Sequence, residues 1–188
     1  MKIKSGIKLY NYAKLIIPGG NSLFSKRSEL HLPNLWPAYY SKAKDTFLWD
    51  LKGTKYLDMF CAVGTNVLGY ANTKVNKSVK DKINSSNMST LNCPEEVYLA
   101  EKLVELHPWA DMARFARSGG EANAIAIRIA RAYTKSSKIA ICGYHGWHDW
   151  YLSANLNKKN NLNQHLFSGL DISGVPKELK KTVFPFMY

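Results

Sequence analysis

The chain has 188 residues, 46% of them hydrophobic and 12% aromatic, which is enough for a real core in one domain or a domain and a half and excludes a generally disordered chain. The formal net charge of +12 comes from scattered lysines that form no long block, so we expect a basic soluble surface and no nucleic-acid partner, with charge-driven nucleic-acid binding left as an alternative. No apolar run approaches the length of a membrane span, no signal peptide is visible and the three cysteines do not pair evenly, which together favour a cytoplasmic protein without a membrane partner.

The first half of the chain predicts a helix, an arm, a hairpin and a second helix. Apolar residues at helical or alternating spacing, separated by proline and glycine, set the limits of these elements. They are, in chain order, a helix at 7–17, an extended arm at 32–40, strands at 46–49 and 55–59 joined by a turn at 50–53, and a helix at 74–88.

The second half alternates helices with short strands. The predicted elements are, in chain order, a helix at 93–106, a strand at 112–117, a helix at 121–134, a strand at 138–142, a polar surface loop at 155–164 and a strand at 181–188. The order strand, glycine turn, helix, strand is typical of an α/β layer with parallel strands. The chain stops within its last predicted strand, which suggests a fragment or a truncated product.

Ser118-Gly119-Gly120, the phosphate-binding turn, joins a predicted strand to a predicted helix. The two glycines leave backbone N–H groups at the positive end of the helix with no side chain in the way, and such an arrangement binds phosphate. The turn lacks the Gly-Lys-Ser/Thr of a Walker loop and the G-x-G-x-x-G spacing of a dinucleotide fingerprint. Taken alone, it is equally compatible with an ordinary helix N-terminus that needs small residues.

Residues 143–150, the aromatic loop, follow the predicted strand at 138–142, where open α/β sheets place their ligands. The loop suits a flat, ring-shaped ligand, on which Tyr144 could stack and to which His145 could hydrogen-bond. An aromatic loop that only packs on the core is the structural alternative.

Two other kinds of site can be drawn from the same residues. Cys142, His145, His148 and Asp149 are possible zinc ligands, but a strand end that runs into a loop does not place them on one face, and no second ligand pair is present. Ser118, His145 and Asp149 could form a hydrolase triad, but the G-x-S-x-G elbow is absent around the serine.

The phosphate-binding turn and the aromatic loop together indicate more than either does alone. A phosphate site on a helix N-terminus, with an aromatic platform one strand later, fits a small cofactor that carries a phosphate and an aromatic ring. Pyridoxal 5'-phosphate (PLP) meets that description.

The order of several motifs along nearly the whole chain resembles the class III PLP-dependent aminotransferases, and within them the glutamate-1-semialdehyde 2,1-aminomutase branch. The segments that carry the resemblance are 17–22, 48–58, 67–70, 114–134, 144–146 and 174–176.

The resemblance implies a fold type I PLP-dependent transferase of the α/β class, present in part. Residues 1–90 would form an N-terminal arm and small-domain segment, and residues 91–188 the beginning of the PLP-binding large domain with its mostly parallel sheet. The intact enzymes are homodimers that act on small amine and carbonyl substrates such as an amino acid, an amino aldehyde or a keto sugar.

The resemblance also implies roles for individual residues. Ser118, Gly119 and Gly120 would hold the cofactor phosphate through backbone N–H groups. Tyr144 would stack on the pyridine ring, and His145 would lie at the ring edge or behind it. Ser22 lies where the aminomutase branch approaches its substrate.

The chain departs from the family pattern at several positions. The phosphate-binding turn has Gly120 where a Thr or Ser is usual, Tyr70 replaces a usual His, and Val63-Gly64 replaces a Trp-Gly pair near the substrate. The family's Schiff-base lysine and the aspartate that pairs with the pyridine nitrogen correspond to positions beyond Tyr188, so we expect this chain to lack catalytic residues of its own. The alternative function is a non-catalytic module that docks on a full-length partner.

Overall fold

The computed structural model describes residues 5–86, 88–165 and 168–188, and the chain divides into two compact units, Met1–Asn92 and Cys93–Tyr188. Each unit has buried residues of its own. The assignment of the units to a small-domain segment and the beginning of a large domain stays a prediction.

The first unit combines helices with a small antiparallel sheet. Its elements are, in chain order, α1 (Gly6–Ile16), 3-10 turns at Pro18–Gly20, Phe24–Lys26 and Ser28–Leu30, β1 (Tyr40–Lys44), β2 (Phe47–Asp50), β3 (Lys55–Leu57), the short turn α2 (Cys61–Gly64) and α3 (Thr73–Ser85). The predicted first helix, the two hairpin strands and the predicted helix at 74–88 are confirmed within a few residues; residue 87 lies outside the described residues.

Helix α1 begins at a serine cap and buries one face. The Ser5 hydroxyl oxygen accepts a hydrogen bond from the backbone N–H of Lys8 at 3.4 Å, which satisfies a donor of the first turn. Tyr10 and Ala13, three residues apart, form the buried stripe. The Tyr10 hydroxyl donates to the Glu29 carboxylate at 2.7 Å, so a polar contact ties the helix to the chain that follows it.

The hairpin between β2 and β3 is closed by a buried aspartate. Asp50 is 8% exposed, and its Oδ1 accepts hydrogen bonds from the N–H groups of Lys52 at 2.8 Å and Thr54 at 2.9 Å. Burial acts to raise the pKa of Asp50, but these backbone hydrogen bonds outweigh it and hold the pKa below its usual value. The charged side chain thereby fixes the turn predicted at 50–53.

The predicted extended arm at 32–40 is wrong in its first half. The N–H of Trp36 donates to the carbonyl of Leu32 at 2.8 Å, which closes a turn, and β1 begins at Tyr40 and pairs with β2. Proline and aromatic content therefore marked a turn followed by an edge strand.

Turn α2 has left-handed backbone conformations at non-glycine residues. Cys61, Ala62 and Val63 have φ values of 47°, 50° and 61°, and Gly64 follows at 78°. Left-handed backbone costs roughly 1–2 kcal/mol per non-glycine residue, and Val63 is also β-branched. Two hydrogen bonds of the turn, from Gly64 N–H to the Phe60 carbonyl and from Asn66 N–H to the Cys61 carbonyl, offset part of that cost.

The second unit is a short parallel sheet covered by helices. Its elements are, in chain order, α4 (Pro94–Leu106), α5 (Gly119–Thr134), β4 (Ile139–Ile141), α6 (Asp149–Leu152), α7 (Ala154–Asn157), a 3-10 turn at Lys177–Leu179 and β5 (Val183–Pro185). Strands β4 and β5 pair in parallel, so the predicted α/β layer is confirmed. The buried core consists of Ile141, Trp150, Tyr151, Ala154, Leu162 and Val183.

Two predictions for this unit are wrong. Residues 112–117 form no strand, because a strand needs a hydrogen-bonded neighbour and no described residue pairs with them. Residues 155–164 are not simply a surface loop. Asn155 is 6% exposed and accepts a hydrogen bond at 2.9 Å from the N–H of the fully buried Leu162, so polar composition concealed a part of the core.

Among the helices of the described residues, none is both long and apolar enough to cross a bilayer.

Candidate functional site

The N-terminus of α5 is organised by a reciprocal pair of hydrogen bonds. Ser118 is the N-cap, and its Oγ accepts from the N–H of Glu121 at 3.3 Å. The Glu121 carboxylate accepts in turn from the N–H groups of Ser118 at 3.1 Å and Arg117 at 3.0 Å. This is a capping box, which the spacing S-x-x-E would have revealed in the sequence.

The capping box leaves two backbone donors of the helix start without a partner. Within the described ranges, no hydrogen bond involves the N–H of Gly119 or Gly120, which are the first two helical residues. A Cβ built on Gly119 would meet no atom within 4 Å, so the space beside it is open. Two free N–H groups at the positive end of a 16-residue helix are suited to an anion.

The structure brings the aromatic loop to this helix end. A Cβ built on Gly146 would lie 3.6 Å from the Cα of Gly120, so the two backbones come into contact. The side-chain amide of Asn123, one turn into α5, reaches the carbonyl of His145 at 3.5 Å. The phosphate-binding turn and the aromatic loop, which the sequence analysis paired, are therefore neighbours in space.

Tyr144 and His145 occupy different environments within the loop. Tyr144 is 38% exposed and meets the ring of Tyr151 edge-on, with centroids 5.8 Å apart. The Nε2 of His145 lies 2.9 Å from the carbonyl of Cys142; because a carbonyl only accepts, Nε2 carries a proton and donates it there. The Tyr144 ring is thus accessible to a ligand, whereas Nε2 of His145 is used to hold the loop.

Two residues that the sequence analysis missed support the loop from behind. Tyr151 is fully buried, and its hydroxyl donates to the carbonyl of Gly143 at 3.3 Å. Burial, and then the neighbouring Tyr144, raise the pKa of Tyr151 to about 12. The Nδ1 of His165 accepts from the N–H of Gly143 at 2.8 Å. Gly143 has a φ of 94°, a conformation that favours glycine, so both residues fix the point where the strand becomes a loop.

The metal and hydrolase alternatives find no support in the geometry. Among the described residues, no three His, Cys, Asp or Glu side chains are grouped so that they could hold a metal ion. Neither Ser118 nor Asp149 is hydrogen-bonded to His145, whose Nε2 is bound to the backbone, so within the described part of the chain no triad is formed.

Ser22 belongs to the first unit. It is exposed, in the bend after the Pro18–Gly20 turn, beside Asn21, whose side-chain oxygen accepts from the N–H of Leu23 at 2.9 Å. Its predicted approach to a substrate stays a prediction.

The first unit also contains a cavity of about 440 Å³. His31 stacks on Trp36, with centroids 4.4 Å apart, and Phe60 meets the His31 ring edge-on. Val63 of the left-handed turn and Tyr70 line the same cavity. Burial and a hydrogen bond to Asp58 raise the pKa of Tyr70 to about 12. Two of the residues at which the sequence departs from the family pattern, Val63 and Tyr70, thus line one largely apolar cavity.

Comparisons with known proteins agree with the resemblance. The family model described as aminotransferase class-III matches residues 31–181. The chain is similar to 3-aminobutyryl-CoA aminotransferase of Cloacimonas acidaminovorans (strain Evry), with 30% identity over 100% of the chain and 41% of the relative. It is also similar to glutamate-1-semialdehyde 2,1-aminomutase of Methanocaldococcus jannaschii, with 37% identity over 81% of the chain and 35% of the relative. The chain thus spans less than half the length of these curated relatives.

Two solved structures share the fold. The PLP form of the FumI protein of Sphingopyxis sp. MTA144 has a TM-score of 0.80 and 25% identity, over 99% of this chain and 41% of that one. A transaminase with PLP bound has a TM-score of 0.79 and 26% identity, over 100% of this chain and 42% of that one. The partial α/β transferase fold is confirmed, PLP is the cofactor of these relatives, and the chain belongs to the class III aminotransferase family.

Proposed function

We propose that this chain is the N-terminal part of a PLP-dependent aminotransferase or aminomutase that acts on an amino acid, an amino aldehyde or a keto sugar. In the intact enzyme, which we expect to be a cytoplasmic homodimer, the chain contributes the phosphate end and the ring platform of the cofactor site. The observation that carries the proposal is the contact between the α5 N-terminus, with its two free N–H groups, and the loop that bears Tyr144.

The residues of the site fit the cofactor. The N–H groups of Gly119 and Gly120 would bind phosphate oxygens, helped by the helix dipole. The Ser118 hydroxyl accepts from Glu121, which leaves its own proton free to donate to the phosphate. The partly exposed Tyr144 ring would stack on the pyridine ring, and the backbone-bound His145 would keep the loop in place.

When bound, PLP supplies an electron sink that allows an amine substrate to lose a proton. The described residues of this chain would bind and orient the cofactor, and we expect the family's Schiff-base lysine to lie outside them. We therefore expect the isolated chain to bind PLP weakly and not to transaminate.

A proline substitution at the first helical position tests the proposed phosphate contact. Gly119→Pro removes one N–H, and proline is well tolerated at N1 of a helix when the preceding residue is extended, as Ser118 is. We expect PLP affinity, measured by ³¹P NMR titration of the full chain, to fall about tenfold, the loss of one charge-assisted hydrogen bond. Gly119→Ala is the matched control, because it keeps the N–H and its Cβ meets no atom within 4 Å.

Equal affinity of Gly119→Pro and wild type would contradict the phosphate site. Turnover by the purified chain, free of any longer form, would contradict the expectation that it is inactive alone. Circular dichroism of both variants verifies that the helix content is unchanged.

A large exposed surface is expected of the proposed function and equally of its alternative, a non-catalytic module that docks on a full-length family member. The chain has an accessible surface of 14920 Å². Two independent domains of half its mass would together expose only about 11,000 Å². The excess of about 4,000 Å² on this one chain is more than the roughly 1,000–2,500 Å² that one partner commonly contributes to an obligate interface.

Apolar side chains contribute to that excess. In the second unit the large hydrophobic residues that are at least half exposed include Leu106, Trp109, Met112, Ile129 and Tyr133.

Analytical ultracentrifugation distinguishes the two functions. A stable, soluble assembly of this chain with a full-length family member would favour the module, whereas aggregation of the chain in every mixture would favour a part of a longer enzyme.

A further inference from the structure

The imidazole of His148 lies against the backbone of the phosphate-binding turn. A Cβ built on Gly120 would lie 2.8 Å from Cε1, 3.1 Å from Nε2 and 3.3 Å from Nδ1 of His148. The edge of the ring that carries both nitrogens therefore faces the second helical residue of α5. Gly120 bears one of the two free N–H groups, so the imidazole lies at the rim of the proposed phosphate site.

The position of His148 is fixed by its backbone and by one ring contact. It is the N-cap of α6, and its carbonyl accepts from the N–H groups of Tyr151 at 2.9 Å and Leu152 at 3.1 Å. Its ring meets the ring of Trp147 edge-on, with centroids 5.6 Å apart. Within residues 5–86, 88–165 and 168–188, neither ring nitrogen of His148 has a hydrogen-bond partner. A half-buried imidazole with unused nitrogens at the start of α5 is available for a ligand.

We infer that His148 binds the phosphate of PLP as a third donor beside the N–H groups of Gly119 and Gly120; this inference rests on the proposed function. Imidazole donates a hydrogen bond from a protonated ring nitrogen, and a hydrogen bond to an ionised phosphate is roughly twice as strong as one between neutral groups. The phosphate contact of His148 then requires glycine at position 120, because any Cβ at 120 would displace the imidazole.

The interdependence of the two positions gives the test a result that a merely structural histidine would not produce. We expect His148→Ala to weaken PLP binding about tenfold and to leave the binding of pyridoxal, which has no phosphate, unchanged. Gly120→Ser alone weakens PLP binding because its Cβ collides with the ring. In the double variant the alanine makes room for the serine, whose hydroxyl supplies a donor, so we expect PLP affinity to recover to within a few-fold of wild type.

The measurement is a ³¹P NMR titration of the full chain with PLP and with inorganic phosphate, and a fluorescence titration with pyridoxal. His107→Ala is the matched control, since His107 lies at the end of α4 with its Nδ1 on the Leu103 carbonyl. His148→Gln, which keeps an N–H donor, guards against a folding defect in the alanine variant, and we expect it to lose less affinity than His148→Ala.

Each outcome bears on a different statement. Unchanged PLP affinity in His148→Ala, or an equal loss of affinity for PLP and pyridoxal, would overturn the role of His148. The proposed function would still stand if Gly119→Pro lost PLP affinity about tenfold. Failure of the wild-type chain to bind PLP at all would overturn both.

Discussion

Ser118 and Glu121 cap each other at the start of α5: the serine oxygen accepts from the glutamate N–H, and the glutamate carboxylate accepts from the serine N–H. The pair removes the Ser118 N–H from the donors that the family resemblance assigned to the phosphate. Two backbone N–H groups, those of Gly119 and Gly120, and the serine hydroxyl then remain for the ligand.

The first prediction concerns this capping box. Ser118→Ala removes the acceptor for the Glu121 N–H, and loss of an N-cap costs about 1 kcal/mol of stability. Glu121→Gln serves as the control, because glutamine also closes a capping box. Urea unfolding followed by circular dichroism at 222 nm measures both. A Ser118→Ala variant as stable as wild type would show that water replaces the cap without loss.

The second prediction concerns Leu162, which is fully buried within an asparagine-rich stretch. It packs in the core cluster with Tyr151 and Val183. Leu162→Ala should therefore cost about 2–5 kcal/mol, the lost transfer free energy plus the cavity left behind. Leu15→Ala on α1 is the matched control, since Leu15 is 80% exposed and should change stability by less than about 0.5 kcal/mol. Similar unfolding midpoints for the two variants would refute a core at Leu162.

Local patterns predicted the elements whose signals are local. The spacing of apolar residues located α1 and α5, and Asp50 with the glycine at 53 located the hairpin turn. The burial of Leu162 was not predicted, because it depends on a hydrogen bond from its own N–H to Asn155 and on packing against residues distant in sequence. Asparagine content could not reveal either contact.

The left-handed turn at Cys61–Gly64 had no signal in the sequence. Of its residues only the last is a glycine, and a β-branched Val63 argues against positive φ. Such a conformation persists only where the surrounding structure stabilises it, which a single sequence does not display.

The candidate site was predictable in outline. Glycines at 119 and 120 and aromatic residues at 144–150 indicated a phosphate and a ring, and the structure places the glycine turn and the aromatic loop in contact. The position of His148 against Gly120 was not predictable, because the two residues meet only through the packing of α6 beside the start of α5.

The third prediction concerns alkaline pH and Tyr151. Burial, with a smaller contribution from Tyr144, raises the pKa of this hydroxyl from about 10 in the unfolded chain to about 12 in the folded chain. Because the folded pKa is the higher one, the protonated hydroxyl contributes its full stability below pH 10, and that contribution is lost as the pH rises toward 12. Tyr151→Phe keeps the ring in the core but loses the hydrogen bond to the Gly143 carbonyl, so at neutral pH it should be less stable by about 1 kcal/mol.

Between pH 10 and pH 12 the difference between wild type and Tyr151→Phe should shrink and then reverse, since only wild type must keep a neutral phenol buried. Unfolding by urea at a series of pH values measures the difference, and the other tyrosines affect both proteins alike. A difference that stays constant over this range would show that Tyr151 titrates as an exposed tyrosine does. That result would contradict the inference that a buried Tyr151 hydroxyl holds the Gly143 turn, and with it Tyr144, in position.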